Sequence, residues 1–224
     1  MDVARPVTRP SDLPLFHPHR RQGRAYRQLR AIVRGYLRTC HSLTVENIEQ
    51  VPLEGPVILA GNHPSMFDPL SLFVACPRRI AFMAAEWTFR APVLKSMMAG
   101  TGMIMVERTL GGAPALRTAL KLLKHGWAVG IYPHGELVED EEETAAKEGV
   151  VLMAASSGAP IVPVRTFGTD RALPRGMWVP RPVRPVRLAF GEPLTVTLNR
   201  LELKDKARVA GESQRVMDAI MGIQ

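Results

Sequence analysis

The chain has 224 residues, 46% of them hydrophobic and 22% charged, which is typical of a globular protein with one sizeable core. This composition excludes a disordered chain. No window reaches roughly 18 uninterrupted apolar residues, so we expect no transmembrane helix. The formal net charge of +8 predicts an anionic partner, such as nucleic acid, an acidic membrane surface or a phosphorylated substrate. Two cysteines, Cys40 and Cys76, favour a reducing compartment over a disulfide framework.

The first 41 residues form two segments of different character. Residues 1–23 are rich in Pro, Arg and His and show no period, so we expect an irregular arm without the apolar centre of a signal peptide. Residues 24–41 carry apolar side chains at spacings of three and four, which predicts an amphipathic helix. This helix either packs on the protein or lies in a membrane interface, with a basic stripe toward anionic headgroups. The stripe consists of Arg27, Arg30, Arg34 and Arg38.

From residue 42 onward, apolar runs with strand character alternate with helical patterns. Such alternation is typical of an α/β fold, in which helices cover both faces of a mostly parallel sheet. We therefore expect one domain over residues 42–224, with a central sheet of about seven strands flanked by helices. The predicted strands are 43–48, 56–61, 80–85, 102–107, 128–133, 160–166 and 186–191, and the predicted helices are 69–76, 91–99, 113–126, 141–158 and 205–222.

Polar clusters follow three of the predicted strands. They are His63 to Asp68, the pair Glu107–Arg108, and Tyr132 to Glu136. Functional groups of a parallel sheet gather beyond the carboxyl ends of its strands, so we expect these clusters to converge on one site.

The first cluster holds a base and a carboxylate on either side of a four-residue turn. A histidine takes a proton from a hydroxyl near neutral pH, and a carboxylate on its other nitrogen fixes the tautomer and stabilises the imidazolium. His63 and Asp68 are therefore candidates for general-base catalysis. The alternative is purely local structure, in which Asp68 is the N-cap of a helix whose first residue is Pro69.

Other kinds of site have weaker signals. Ser65 lacks the GxSxG surroundings of a nucleophile and Cys76 lies in an apolar run, so we expect the substrate's own hydroxyl to be the nucleophile. The sequence shows no phosphate-loop, dinucleotide-binding or metal-ligand spacing, and we expect neither a metal nor a bound cofactor. The arginines lack a recognition module with interleaved aromatic residues, which argues against nucleic acid as the partner.

Four blocks of the chain, in order, resemble the motifs of the glycerolipid acyltransferases, the 1-acyl-glycerol-3-phosphate (lysophosphatidic acid) acyltransferase family. NHPSMFDP at 62–69 is similar to the family's His-x4-Asp motif, and GTGMIMVERT at 100–109 to a block that ends in an acid–Arg pair. GWAVGIYPHGE at 126–136 stands where the family has Phe-Pro-Glu-Gly-Thr-Arg. Residues 147–176 are similar to the stretch from Lys-x-Gly through Val/Ile-Pro-Val.

The resemblance implies transfer of an acyl group from acyl-CoA or acyl carrier protein to a hydroxyl of a lysophospholipid, with 1-acyl-glycerol-3-phosphate as the acceptor. His63 would be the general base and Asp68 its partner, and the acyl donor would be a co-substrate rather than a cofactor. The implied substrate-binding residues are Glu107, Arg108, Tyr132, Pro133, His134, Gly135, Glu136, Lys147 and Pro163. Of these, Arg108 would meet the phosphate of the acceptor.

The third block departs from the family pattern. Where the family motif has Glu, Thr and Arg, this chain has His134, Glu136 and Leu137. The resemblance implies that groups which help hold a phosphorylated acceptor are lost. Alternative acceptors are a lyso-aminolipid or a sugar lipid, and a non-catalytic lipid-binding protein is a further alternative. The candidates to replace the lost cation are Arg165, Arg171 and Arg175.

The resemblance also bears on the helix predicted at 24–41. A lipid acyltransferase without a spanning helix must meet its substrate at the membrane surface, which favours the interfacial interpretation of this helix. We therefore expect an anionic membrane surface as a partner. The expected location is cytoplasmic, peripheral on the inner face of the cell membrane.

Overall fold

A computed structural model describes the chain over six ranges. They are 24–85, 104–106, 112–133, 140–174, 176–177 and 179–224. The arm predicted at 1–23 and the helix predicted at 91–99 lie outside the described residues.

The seven predicted strands are confirmed and form one sheet. The strands are β1 (Thr44–Glu46), β2 (Val57–Gly61), β3 (Ile80–Ala85), β4 (Ile104–Val106), β5 (Ala128–Ile131), β6 (Ile161–Phe167) and β7 (Arg187–Phe190). The helices are α1 (Arg24–His41), α2 (Asp68–Ala75), α3 (Ala113–Lys124), α4 (Asp140–Ser157), α5 (Thr169–Ala172) and α6 (Lys206–Gly222), with 3₁₀ turns at Ile48–Gln50 and Glu202–Lys204.

Strand β2 lies in the middle of the sheet, whose order is β1-β7-β6-β2-β5-β3-β4. All neighbouring pairs are parallel except β6 and β7, which run antiparallel. In register, Ala60 of β2 pairs with Ile131 of β5, and Gly61 pairs with Val164 of β6. The carboxyl ends of these three strands therefore meet at one edge, which brings together the clusters that begin at His63 and Tyr132. The Glu107–Arg108 cluster lies outside the described residues.

Both faces of the sheet are covered, so its central strands are buried along their whole length. Ile58 and Ala60 pack in a core with α3, α4 and α6, whereas Val57 and Leu59 pack in a second core with α1 and α2. Burial on both faces explains why the strands appear in the sequence as continuous apolar runs rather than as alternating patterns.

Helix α1 turns its apolar side toward the protein. Tyr26 and Leu37 are buried in the core beneath α2, and the Tyr26 ring meets Phe73 edge to face at 5.3 Å between centroids. The interfacial interpretation, which turned these side chains toward lipid, is therefore wrong for them, because α2 occupies the space that lipid would need. The outer side of α1 exposes arginines together with Ile32, which is 70% exposed. Within the described ranges, no helix is both long and apolar enough to cross a membrane.

Arg30 differs from the other arginines of the predicted stripe. Its Nη2 donates hydrogen bonds to the carbonyls of Val74, at 3.1 Å, and of Cys76. These carbonyls lie at the end of α2, where a helix has acceptors without partners and its dipole favours a positive charge. Arg30 thus fastens α1 to α2.

Replacing Arg30 by Gln should lower the free energy of unfolding by about 1.5 to 3 kcal/mol, because hydrogen bonds from a charged donor contribute about that much. The matched control is Arg34→Gln on the exposed side of α1, which should change it by less than about 0.5 kcal/mol. Urea unfolding followed by circular dichroism measures both values. Equal effects of the two substitutions would contradict the role given to Arg30.

Candidate active site

His63 and Asp68 are in direct contact beyond the carboxyl end of β2. The Nδ1 atom of His63 lies 2.9 Å from Oδ2 of Asp68; the carboxylate is fully buried and the imidazole is 16% exposed. A carboxylate only accepts hydrogen bonds, so Nδ1 carries the proton and Nε2 is the free basic nitrogen. Among the described residues, none forms a hydrogen bond with Nε2. In this tautomer, the pair can present the lone pair of Nε2 to an incoming hydroxyl.

The Asp68 carboxylate is held by two further donors. The backbone N–H of Ser65 donates to Oδ2 at 2.8 Å, and the hydroxyl of Thr166 donates to Oδ1 at 2.8 Å. The N-cap position of α2 is Phe67, and no side chain caps the helix there. The helix-cap alternative for Asp68 is therefore wrong, because its carboxylate points back into the turn, toward Ser65 and His63.

Asn62 and Thr166 support the candidate site in a way that the sequence did not reveal. The Asn62 amide donates to the Thr166 carbonyl at 3.0 Å and accepts from the Thr166 N–H at 2.8 Å, which extends the pairing of β2 with β6. This link places the Thr166 hydroxyl beside Asp68. The only available signals were that Asn62 directly precedes His63 and that Thr166 ends a predicted strand.

Replacing Thr166 by Val should lower the free energy of unfolding by about 1 to 3 kcal/mol, since Oδ1 of the buried Asp68 loses its donor. The control is Thr197→Val at an exposed position, where little change is expected. Urea unfolding of the two variants measures the difference. A Thr166→Val protein as stable as the Thr197→Val protein would show that the hydroxyl does not support Asp68.

Tyr132 packs directly on His63. The Tyr132 and His63 rings stack at 4.2 Å between centroids and 20° between planes. Burial, and secondarily the charge of Asp68, raises the pKa of the Tyr132 phenol well above its ordinary value, so it stays protonated. Within the described residues its buried hydroxyl has no hydrogen-bond partner. The Tyr132 ring lies against His63 and holds the orientation of the imidazole, and its predicted contact with substrate stays a prediction.

Gly61 makes room for this stack at the end of β2. A Cβ at Gly61 would lie 3.2 Å from Cε1 of Tyr132 and 3.3 Å from the carbonyl oxygen of Val164. Because the second of these contacts is with backbone, a larger residue would push β2 away from β6 or displace the tyrosine ring.

Neither nearby nucleophilic side chain is available for covalent catalysis. Ser65 is buried, and its hydroxyl donates to the Leu173 carbonyl at 2.7 Å and accepts from the Phe67 N–H at 3.1 Å. Burial raises the pKa of the Cys76 thiol to about 11, so it stays protonated at neutral pH. This agrees with the expectation that the substrate hydroxyl is the nucleophile.

Two predicted substrate-binding prolines are buried. Pro133 is the second residue after β5, and Pro163 lies inside β6 in register with Ala60, with its carbonyl accepting the Gly191 N–H at 2.9 Å. Pro163 therefore supports the sheet, and its contact with substrate stays a prediction.

The other predicted binding residues are not described in the structure. Lys147 lies in α4, but its side chain is outside the described part of the chain. The residues outside the described ranges are Glu107, Arg108, His134, Gly135, Glu136 and Arg175.

Of the arginines considered as replacements for the lost cation, Arg165 is committed elsewhere. Its guanidinium donates to the carbonyls of Met221 and, at 2.6 Å, of Ile223, and so fixes the end of the chain after α6. Arg171 lies in α5, the short helix that follows β6, and is exposed.

Comparisons with known proteins identify the family of the chain. A family model described as Acyltransferase matches residues 42–166. The 1-acyl-sn-glycerol-3-phosphate acyltransferase of Borreliella burgdorferi is 30% identical over 133 residues, which cover 57% of this chain and 52% of that protein. The protein of the same name from Bacillus subtilis is 32% identical over 125 residues, covering 55% and 62%. The chain thus matches about half to three fifths of the length of these relatives.

A solved structure shows the same fold. The crystal structure of the 1-acyl-sn-glycerophosphate (LPA) acyltransferase from Thermotoga maritima aligns with a TM-score of 0.64 at 21% identity. The alignment covers 89% of this chain and 80% of the Thermotoga chain.

Proposed function

Because the chain belongs to the acyltransferase family, we propose that it transfers a fatty acyl group from a thioester donor, acyl-CoA or acyl carrier protein, to a hydroxyl of a lysophospholipid. The observation that carries this proposal is the 2.9 Å contact of His63 with the buried Asp68, which leaves Nε2 free to act as a base. The proposed acceptor is 1-acyl-glycerol-3-phosphate, in line with the names of the relatives.

The mechanism follows from the direction of the hydrogen bonds. His63 Nε2 takes the proton of the acceptor hydroxyl while the acceptor oxygen attacks the thioester carbonyl. The imidazolium that forms is stabilised by the negative charge of Asp68. Collapse of the tetrahedral intermediate breaks the carbon–sulfur bond, and the leaving thiolate recovers the proton from His63. Proton transfer and acyl transfer complete the reaction, so the proposed mechanism needs only the two substrates, the acyl donor and the acceptor.

The test is a thiol-release assay with purified protein and each of the two donors. The acceptor panel contains 1-acyl-glycerol-3-phosphate, a zwitterionic lysophospholipid, a lyso-aminolipid and a sugar lipid. We expect acceptor-dependent thiol release that is largest with 1-acyl-glycerol-3-phosphate. Thiol release with only one of the other acceptors would support the proposed acyl transfer but contradict 1-acyl-glycerol-3-phosphate as the acceptor. No acceptor-dependent release with either donor would favour the non-catalytic lipid-binding alternative.

The enzyme must also meet its lipid substrate at a surface, and we propose that the outer side of α1 contributes to binding an anionic membrane. Changing Arg27, Arg34 and Arg38 to Gln should release the protein from vesicles of phosphatidylglycerol and phosphatidylcholine, since each arginine contributes about 1 kcal/mol near an anionic surface. Arg30 is left intact because it holds α2. Cosedimentation with vesicles at low salt measures the effect.

The control for this prediction removes the same charge from another part of the surface. Arg117, Lys121 and Lys124 are exposed on α3, and their change to Gln should leave vesicle binding nearly intact. If both triple variants lose binding equally, net charge rather than α1 determines membrane binding.

A further inference from the structure

A cationic cavity lies beside the catalytic turn. It has a volume of about 430 Å³ and is formed by α5 and the segment that leads to β7. Its walls contain three guanidinium groups and one carboxylate, which leaves two net positive charges. The lining residues are Asp170, Arg171, Pro174, Arg181, Arg184 and Pro185.

Both walls of this cavity are anchored to the turn that holds the catalytic pair. On one side, Ser65 donates to the carbonyl of Leu173, the residue between Arg171 and Pro174 of the lining, at 2.7 Å. On the other side, the buried His41 donates from Nδ1 to the Arg184 carbonyl at 3.1 Å, and its ring lies 5.0 Å from that of Phe67. The cavity is therefore fixed relative to the catalytic histidine.

The two walls are also fastened to each other. The Arg181 N–H donates to the Ala172 carbonyl at 2.7 Å. Gly168, at φ +78°, begins α5, and a Cβ there would lie only 2.2 Å from the Pro185 carbonyl oxygen. A glycine is needed at this position both for its backbone conformation and for the close approach. The cavity is thus a built feature of the fold.

The charges of the cavity are not neutralised by the described protein. Arg187, Arg208 and Arg215 each pair with a carboxylate. In contrast, no described carboxylate forms an ion pair with the side chains of Arg171, Arg181 or Arg184. Guanidinium groups bind phosphate oxygens in bidentate geometry, and two net positive charges complement a phosphomonoester dianion.

We propose that this cavity binds the phosphate of a phosphorylated acyl acceptor, an inference that rests on the proposed function. The cavity would supply the cation that the family motif places where this chain has Leu137. It lies at the same edge of the sheet as His63, because the end of β6 leads into α5 and the end of β2 leads into the catalytic turn.

The test compares a short-chain 1-acyl-glycerol-3-phosphate with the matched 1-acylglycerol, which lacks the phosphate. Arg171→Gln, Arg181→Gln and Arg184→Gln each keep the backbone hydrogen bonds. Each should raise the KM of the phosphorylated acceptor about tenfold or more, leaving the KM of the other acceptor unchanged. Asp170→Asn should lower the KM of the phosphorylated acceptor, a gain that misfolding does not produce. The control is Arg200→Gln at an exposed position away from the cavity.

Calorimetric titration with glycerol 3-phosphate measures binding to the cavity in the absence of turnover. Loss of glycerol 3-phosphate binding in the arginine variants would support the phosphate site even if the protein released no thiol. The lack of thiol release would contradict only the proposed function. Unchanged binding and unchanged KM in all three variants would overturn the inference. A rise in KM for acyl-CoA alone would assign the arginines to the phosphates of the donor and overturn the acceptor assignment.

Discussion

Replacing His63 by Ala should lower turnover by a factor on the order of 10² to 10⁴, which is the usual contribution of a positioned general base. The substitution removes the nitrogen that accepts the proton of the acceptor, and among the described residues no other base contacts Asp68. The measurement is kcat from thiol release at saturating donor and acceptor. A variant that turns over at the wild-type rate would refute the assignment of His63 as the base.

The same substitution should leave the fold intact, because Asp68 keeps the hydrogen bonds from Ser65 and Thr166. Circular dichroism and urea unfolding of His63→Ala should therefore resemble those of the unchanged protein. The matched control is His125→Ala at the exposed end of α3, which should alter neither turnover nor stability appreciably. If the His63→Ala protein were unfolded, its loss of turnover would not support His63 as the general base.

Replacing Asp68 by Asn should lower turnover on the order of 10²-fold or more while changing stability much less. The amide oxygen can take the place of Oδ2 and accept from Ser65 and His63, and the amide nitrogen can donate to the Thr166 hydroxyl. The geometry and tautomer are thus kept, and what is lost is the negative charge that stabilises the imidazolium. The measurement pairs kcat with the free energy of unfolding.

Asp218→Asn, on the exposed side of α6, serves as the control for loss of a carboxylate. If Asp68→Asn unfolded the protein but the folded fraction kept full turnover, Asp68 would be structural and the charge argument would fail.

The strands were predictable because the sheet is buried on both faces and each strand therefore leaves a continuous apolar run. The order of the strands was not predictable in the same way, since the antiparallel placement of β7 beside β6 depends on contacts between distant segments. The face of α1 was ambiguous for a related reason: an amphipathic pattern is the same whether the apolar side covers protein or lipid. Only the packing of Tyr26 beneath α2 separates the two.

The contact of His63 with Asp68 was predictable because the two residues lie close together in the sequence. The residues that complete their surroundings come from other elements. Thr166 is 98 positions from Asp68, and the stacking of Tyr132 on His63 requires β5 to lie beside β2. Arg30 likewise looked like one member of a surface stripe until α2 was placed beside it. Local spacing can suggest a proton acceptor, but it carries no information on such long-range neighbours.

The end of β6 separates two tasks that selection can adjust one at a time. The residues proposed to move the proton lie at or before Thr166, where the match to the family model stops, whereas the cationic cavity is built from the segment just after it. Among the described residues, hydrogen bonds of Ser65 and His41 join the two. Changes within the segment from Asp170 to Pro185 can therefore diversify the preferred headgroup while the reaction machinery is inherited unaltered.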